Sequence, residues 1–168
     1  MAVRDVLLHP HPMLKVVSGP VAKVNGPVLL LIKDLMDTMR AGPRSVGIAA
    51  PQIGVAARVC IVDVSKNPKG LQNNHGLMVM VNPEIIERSG AVVVREGCMS
   101  VPEYTGDVER AANVVVAFAD DEGTRRKVET EGFEAVVVQH EIDHLDGYLF
   151  LDRIVSLKTG LFRRKANR

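Results

Sequence analysis

Hydrophobic residues recur every three or four positions in the segment that follows Asn25, Gly26 and Pro27. The apolar members are Val28, Leu31, Ile32, Leu35, Met36 and Met39, and Gly42 and Pro43 come directly after them. This spacing places the apolar side chains on one face of a helix, and Pro near the start with Gly near the end is typical of helix boundaries. The pattern predicts an amphipathic helix between residues 25 and 42.

Short valine-rich runs dominate the middle of the chain. They cover residues 58–64, 77–81, 91–95, 114–119 and 126–130. Runs of β-branched residues between turn-forming residues predict strands, and residues 120–124 predict the hairpin turn between the last two. Residues 45–54 carry Gly and Pro between small residues, which predicts a loop.

A second helical pattern begins at Phe133. Val136 and Val137 lie on the same predicted face as His140, Glu141 and His144, which indicates a helix over residues 133–145. Strands fill the middle of the chain, helices lie near its ends, and the two do not alternate regularly. The predicted fold class is therefore α+β, with antiparallel sheets packed around this central helix, an N-terminal helix and a short C-terminal helix.

The length and charge of the chain limit its partners. At 168 residues we expect a single catalytic domain spanning residues 1–168. Twenty-one Lys and Arg against 20 Asp and Glu give a net charge of +1, so composition indicates neither DNA nor an anionic membrane as a partner. No apolar run approaches the ~18 residues of a membrane span. His9, Pro10, His11 and Pro12 interrupt any secretory signal, so we expect a cytoplasmic location.

The C-terminal end is basic. Its cations are Arg163, Arg164, Lys165 and Arg168. A solvated helix end is the default interpretation of such a cluster, and a contact with the ribosome is the alternative.

The two cysteines have different surroundings. Cys60 lies within an apolar run and is expected to be a core residue, where a thiol behaves as a small hydrophobe. Cys98 lies between Gly97 and Met99 in a polar, turn-like segment, which indicates another role. Because disulfides are disfavoured in the cytosol, both thiols are expected to be free.

His140, Glu141 and His144 form the pattern H-E-x-x-H. On a helix, imidazoles four residues apart lie on one side and can share a metal ion. Burying such polar groups without partners costs on the order of 2 kcal/mol or more each, and a metal removes that cost. A catalytic site of the zinc type has three protein ligands and one open position, so one ligand must lie elsewhere.

The third ligand is not found downstream. No Glu follows Glu141, and Phe150 occupies the place of the third His in the extended pattern H-E-x-x-H-x-x-G-x-x-H, although Gly147 is present. The upstream candidates are His9, His11, His75 and Cys98. A thiolate is the strongest ligand among these groups.

Three segments together resemble the motifs of peptide deformylases. Residues 96–100 (E-G-C-M-S) resemble the E-G-C-hydrophobic-S motif, residues 47–52 (G-I-A-A-P-Q) resemble G-hydrophobic-A-A-P-Q, and residues 139–144 (Q-H-E-I-D-H) resemble Q-H-E-hydrophobic-D-H. The three occur in the order of the family. With weaker similarity in the N-terminal arm and at residues 149–153, the resemblance covers most of the chain.

The resemblance implies a role for each motif residue. Cys98, His140 and His144 would bind one divalent metal ion, Fe(II) in the cell, with Zn, Ni or Co accepted in a purified sample. Glu141 would transfer protons, and Gln52 with the backbone N–H of Met99 would stabilise the oxyanion. Glu96 and Gln139 would orient the ligands.

The implied substrate is the N-formylmethionyl end of a nascent polypeptide, which would lose formate. The methionine slot and the peptide contacts would be formed by Val46, Gly47, Gly97, Met99, Phe133, Val136 and Val137. Two positions depart from the family pattern. Ser45 replaces a Gly that opens the first motif, and Thr105 occupies the position of an Arg present in some members.

Two other functions are compatible with parts of this pattern. A metallopeptidase that cuts internal peptide bonds would share the H-E-x-x-H segment but normally requires the missing downstream ligand. A non-catalytic formyl-peptide-binding module would need neither Glu141 nor Gln52. Release of formate from formylated peptides separates the three hypotheses.

Overall fold

Two helices and eight strands, joined by short 3-10 turns, form the part of the chain that the computed structural model describes, residues 2–165. The helices are α1 (Gly26–Ala41) and α2 (Gly132–Leu145). The strands are β1 (Gly47–Ala49), β2 (Val59–Val62), β3 (Met78–Ser89), β4 (Val92–Cys98), β5 (Val101–Arg110), β6 (Asn113–Ala119), β7 (Arg125–Glu131) and β8 (Leu161–Arg163). They form two sheets, and every strand pair in both is antiparallel.

The larger sheet has the strand order β1-β2-β3-β6-β7 and lies between the two helices. Strand β2 shows why, because all four of its residues are buried. Since side chains alternate between the faces of a strand, Cys60 and Val62 contact the α2 side, whereas Val59 and Ile61 contact the α1 side. Both faces of this sheet are therefore covered where it carries β2.

Helix α1 begins and ends as its pattern predicts. The Asn25 side chain caps the helix by accepting a hydrogen bond from the Val28 N–H, and Pro27 occupies the first turn. Its apolar face, which includes Ile32, Leu35 and Met39, packs on the larger sheet.

Helix α2 is enclosed on all sides. Each residue from Glu134 to Leu145 is buried, including the polar ones. The smaller sheet, with order β4-β5-β8, packs beside it, and Leu149 and Phe150 contribute to the apolar cluster there. The predicted α+β class, with antiparallel sheets around the helix that carries H-E-x-x-H, is confirmed.

Two predictions about elements need correction, and one strand was not predicted. Residues 161–163 form β8, so the expected short C-terminal helix is wrong within the described residues, and Arg168 lies outside them. Pairing with β5 covers a sheet edge that a helix would leave open. The predicted loop at residues 45–54 contains β1 and a 3-10 turn, Ala50–Ile53. Strand β5 was not predicted, because Pro102 and Gly106 are residues that more often indicate a turn than a strand.

Among the described residues, no helix has both the length and the apolar character that crossing a bilayer requires.

Candidate active site

A cavity of about 1500 Å³ opens beside α2, β1 and the start of the β4–β5 hairpin. Its wall brings together most residues that the sequence singled out: Val46, Gly47, Gln52, Glu96, Gly97, Cys98, Met99, Phe133, Val136, Val137, His140 and Glu141. His144 and Gln139 are buried behind this wall. Residues that are distant in sequence therefore meet at one concave surface.

The three proposed ligands lie at one point of this surface. The ligand atoms of Cys98, His140 and His144 all lie within 4.8 Å of one another, and the three side chains are buried. One helical turn separates the two imidazoles, whose rings meet edge to face with centroids 5.1 Å apart. Cys98 reaches them from the end of β4, where the β4–β5 register shifts between Glu96 and Cys98, as a bulge does next to many sites.

The donor set fits a divalent metal ion. His144 Nε2 lies 3.4 Å from Cys98 Sγ, close to the roughly 3.5 Å that separates nitrogen and sulfur ligands around one tetrahedral ion. Burial, with the neighbouring His140 and Arg110, lowers the pKa of His144 well below its ordinary value, so the ring is neutral and able to coordinate. Three protein ligands beside a cavity match a catalytic site with an open position.

Glu96 fixes the orientation of His140. One Glu96 oxygen lies 2.7 Å from His140 Nδ1, which leaves Nε2 for the ligand cluster. Arg110 donates to both Glu96 oxygens, at 2.7 and 2.8 Å. Burial alone would raise the pKa of Glu96, but the hydrogen bonds from Arg110 and His140 outweigh burial and lower the pKa to about 2.

Arg110 also joins this cluster to α2. Its Nη1 donates to Asp143 at 2.6 Å, and Arg153 donates to both oxygens of the same carboxylate. Nothing in the sequence indicated Arg110, because a single Arg at the end of a strand is usually exposed. Asp143 did carry a signal, since it lies inside the Q-H-E-I-D-H segment.

Glu141 lies beside the ligands without a hydrogen-bond partner for one of its oxygens. Its Oε2 is buried and makes no hydrogen bond within the described residues. Burial raises the pKa of this carboxyl to about 7, although the nearby His140 acts in the opposite direction. A carboxyl with such a pKa can both accept and release a proton near neutral pH.

Gln52 is held by its own turn. Its Oε1 accepts a hydrogen bond from the Ala49 N–H at 3.0 Å, so the amide Nε2 points towards Ser100 and Cys98. Nε2 donates to Ser100 Oγ at 3.1 Å and lies 3.6 Å from Cys98 Sγ. The amide N–H groups therefore lie at the ligand cluster. Ser100 was not predicted to contact Gln52.

Two residues that the sequence singled out make their hydrogen bonds away from the ligand cluster. Gln139 exchanges hydrogen bonds with the backbone N–H and C=O of Ala111, so it secures the β5–β6 connection and orients no ligand directly. His75, an upstream ligand candidate, hydrogen-bonds with the buried Glu134 instead.

Cys60 is a fully buried core residue, as predicted, and burial raises the pKa of its thiol well above the ordinary value.

Comparisons with known proteins agree on one family. A family profile described as polypeptide deformylase matches residues 3–160. A peptide deformylase of Alkalilimnicola ehrlichii is 42% identical over 165 residues, which cover 98% of this chain and 89% of the relative. A crystal structure of a peptide deformylase from Legionella pneumophila superposes with a TM-score of 0.84 at 39% identity, covering 94% of this chain and 89% of that one.

A third relative was solved with a peptide in place. The Met-Ala-Ser-bound class I type b peptide deformylase from Acinetobacter baumannii is 40% identical, with a TM-score of 0.81 and coverage of 91% of this chain and 100% of that chain.

Proposed function

The chain belongs to the polypeptide deformylase family and removes the N-formyl group of nascent polypeptides, and we propose that the buried Cys98, His140 and His144 cluster is its catalytic metal site. The observation that carries this proposal is the convergence of the cluster, Gln52 and the unpartnered Glu141 oxygen at one cavity. Holding a metal alone would require neither of the last two groups.

We propose Fe(II) as the ion in the cell. Thiolate and imidazole donors also accept Zn, Ni and Co, so those ions are expected to replace iron in purified protein. When bound, a divalent ion makes water a stronger nucleophile and polarises the formyl carbonyl. Metal analysis of anaerobically purified protein, paired with activity, tests the choice of ion.

Glu141 moves the proton in the proposed mechanism. Water adds to the formyl carbon, Glu141 accepts the proton that the water loses, and it returns a proton to the departing methionine nitrogen as the C–N bond breaks. The products are formate and a free amine. Support for this role comes from the burial of the carboxyl and from its pKa of about 7.

Gln52 and the Met99 backbone N–H stabilise the negative charge that develops on the carbonyl oxygen. The hydrogen bond from Ala49 already orients the Gln52 amide, so the amide needs little reorientation during the reaction. Removing such a donor typically lowers kcat by ~10²-fold or more.

The methionine side chain is proposed to occupy the apolar part of the cavity. Phe133, Val136 and Val137 from α2 and Met99 from the β4–β5 turn line it. Strand β1 is at the edge of its sheet, since β2 pairs with one side of β1 and no strand pairs with the other among the described residues. The backbone at Val46 and Gly47 can therefore bind a substrate peptide as an added strand, and Gly97 lines the same cavity.

Three wider expectations stand as proposals. Residues 1–168 act as one catalytic domain, because α2 and both sheets supply the site. A cytoplasmic location agrees with two free cysteines. The contact between the basic tail and the ribosome stays a prediction.

Formate release tests the proposed function. The protein should release formate from formyl-Met-Ala-Ser and act far more slowly on the acetyl analogue, because an added methyl must fit between the ligand cluster and Gln52. A metallopeptidase would cleave the Met-Ala or Ala-Ser bond instead. A binding module would retain the peptide without releasing formate.

A further inference from the structure

Arg164 places a guanidinium directly over Gly97, next to Cys98. A Cβ built at Gly97 would collide with Arg164 Nη2 and would lie 3.4 Å from its Cζ. Arg164 is also one of the residues that line the cavity. A cation from the C-terminal end of the chain therefore lies at the active-site wall, beside a proposed metal ligand.

The smaller sheet explains how Arg164 reaches this place. Strand β8 pairs with β5 with Thr105 opposite Phe162, and the Arg164 N–H donates to the Glu103 carbonyl at 2.7 Å. Because β4 pairs with the other side of β5, the Arg164 side chain must cross β5 to reach Gly97.

Thr105 leaves room for this crossing. Its Cγ2 lies 3.5 Å from the same built Cβ at Gly97, so Thr105 and Arg164 adjoin one point of the wall. Thr105 is the position at which the motif resemblance implies an Arg in some members of the family. Here the short side chain on β5 leaves that point to the guanidinium of Arg164, which directly follows β8.

Arg164 shares the cavity wall with three other cationic residues. Lys69, Arg44 and Arg95 also line it. Of the three carboxyl groups on this wall, Glu96 is bound by Arg110, Glu131 accepts a hydrogen bond from Asn73, and Glu141 lies beside the ligand cluster. Within residues 2–165, Arg164 takes part in no ion pair.

We propose that Arg164 is a specificity-determining residue that binds a carboxylate on the substrate peptide beyond the formylmethionine. The inference rests on the proposed function and names the substrate class that the site prefers, formyl-Met peptides with an acidic group. Charge-assisted hydrogen bonds from a guanidinium to a carboxylate are directional and can be bidentate. The carboxylate belongs to an Asp or Glu side chain or to the end of a short peptide.

Two pairs of substrates distinguish these sources. Formyl-Met-Ala-Asp amide is compared with formyl-Met-Ala-Asn amide, and formyl-Met-Ala-Ser is compared with its C-terminal amide. Formate release is measured at low ionic strength. In at least one of the two comparisons, kcat/KM should be roughly three- to tenfold higher for the substrate that carries the carboxylate, the size expected for a partly exposed ion pair. The difference should lie mainly in KM and should shrink as salt is added.

Arg164→Gln should abolish this preference, and Arg164→Lys should keep part of it. Arg163→Gln is the matched control, because Arg163 lies on β8 beside Arg164 but does not line the cavity. A preference that survives in Arg164→Gln, or an equal loss in Arg163→Gln, would overturn the inference, as would equal rates on both pairs in the unaltered enzyme. Failure of the unaltered enzyme to release formate from any formyl peptide would instead overturn the proposed function.

Discussion

At the scale of single residues, the contact between Gly47 and Glu141 shows how closely the site is packed. A Cβ at position 47 would lie 2.7 Å from Glu141 Oε1 and 2.9 Å from its Cδ and Cγ. The carboxyl is therefore held against the β1 backbone, and glycine is the residue that leaves space for it. Any side chain here would push the carboxyl from its position beside the ligands.

We expect Gly47→Ala to lower formate release by roughly 10²-fold, since a displacement of about 1 Å can misalign a reacting group to that extent. Metal content should stay near that of the unaltered enzyme, because the three atoms nearest to the added Cβ belong to Glu141 and not to a ligand. Gly19→Ala is the control, as a Cβ there meets nothing within 4 Å. If Gly47→Ala and Gly19→Ala had the same activity, the contact would not position Glu141.

Single residues of the site differ in how well the sequence predicted them. Cys98, His140, His144, Glu141 and Gln52 lie in contiguous motifs, and the structure brings all five together. Arg110 and Arg164 reach the site because the strand that carries Arg110 and the strand before Arg164 pair with neighbouring strands, and no local sequence pattern indicates such pairing. Gln139 was expected to orient a ligand, but a motif position does not reveal that its amide hydrogen-bonds with a backbone segment.

At the scale of elements, the start of α2 depends on a buried carboxylate. Glu134 is fully buried and accepts hydrogen bonds from the backbone N–H of His75 and from Thr130 Oγ1, at 2.7 and 2.8 Å. His75 Nδ1 contacts the same carboxylate. These bonds attach α2 to β7 and to the loop before β3, whose Asn67, Lys69 and Asn73 line the cavity.

Glu134→Gln should lower the free energy of unfolding by roughly 1–3 kcal/mol, because the amide loses an acceptor oxygen that buried donors require. Urea unfolding followed by circular dichroism measures the change. Glu129→Gln makes the same chemical replacement at an exposed position of β7 and should have little effect. Equal stability of the two variants would show that Glu134 does not hold these elements together.

Most elements followed from the periodicity of hydrophobic residues, and the exceptions share a physical cause. Helix α1 buries one regular apolar face, and β2 is a short run of buried apolar residues, so a sequence displays both. Helix α2 is buried on all sides, but its valines and its H-E-x-x-H segment still marked it. Strands β5 and β8 form because each satisfies the backbone of a neighbouring strand, and this requirement is not visible in their own residues. The predicted C-terminal helix failed for that reason.

At the scale of the whole molecule, Arg110 connects the smaller sheet to the central helix. It ends β5, binds Glu96 on β4 and Asp143 on α2, and its side chain is 3% exposed. The metal ligands come from the smaller sheet and from the central helix as well, with Cys98 on β4 and the histidines on α2. The position of the ligand cluster therefore depends on this buried ion network.

Arg110→Met should lower the free energy of unfolding by roughly 3–5 kcal/mol, because it leaves the buried Glu96 without its guanidinium partner and Asp143 with the half-exposed Arg153 alone. The variant should also bind metal more weakly, since Glu96 no longer holds His140 in a fixed orientation. Arg153→Met removes a half-exposed partner of Asp143 and should cost about 1 kcal/mol or less. Comparable unfolding midpoints for the two variants would contradict the role of Arg110.

In the proposed mechanism the cluster of Cys98, His140 and His144 holds the metal while Glu141 transfers the proton. The most direct measurement determines metal stoichiometry and formate release on one preparation of Glu141→Gln. The variant should keep a full equivalent of metal while turnover falls by roughly 10²-fold or more, the usual contribution of general acid-base catalysis. Near-normal turnover, or loss of the metal, would show that Glu141 does not transfer the proton.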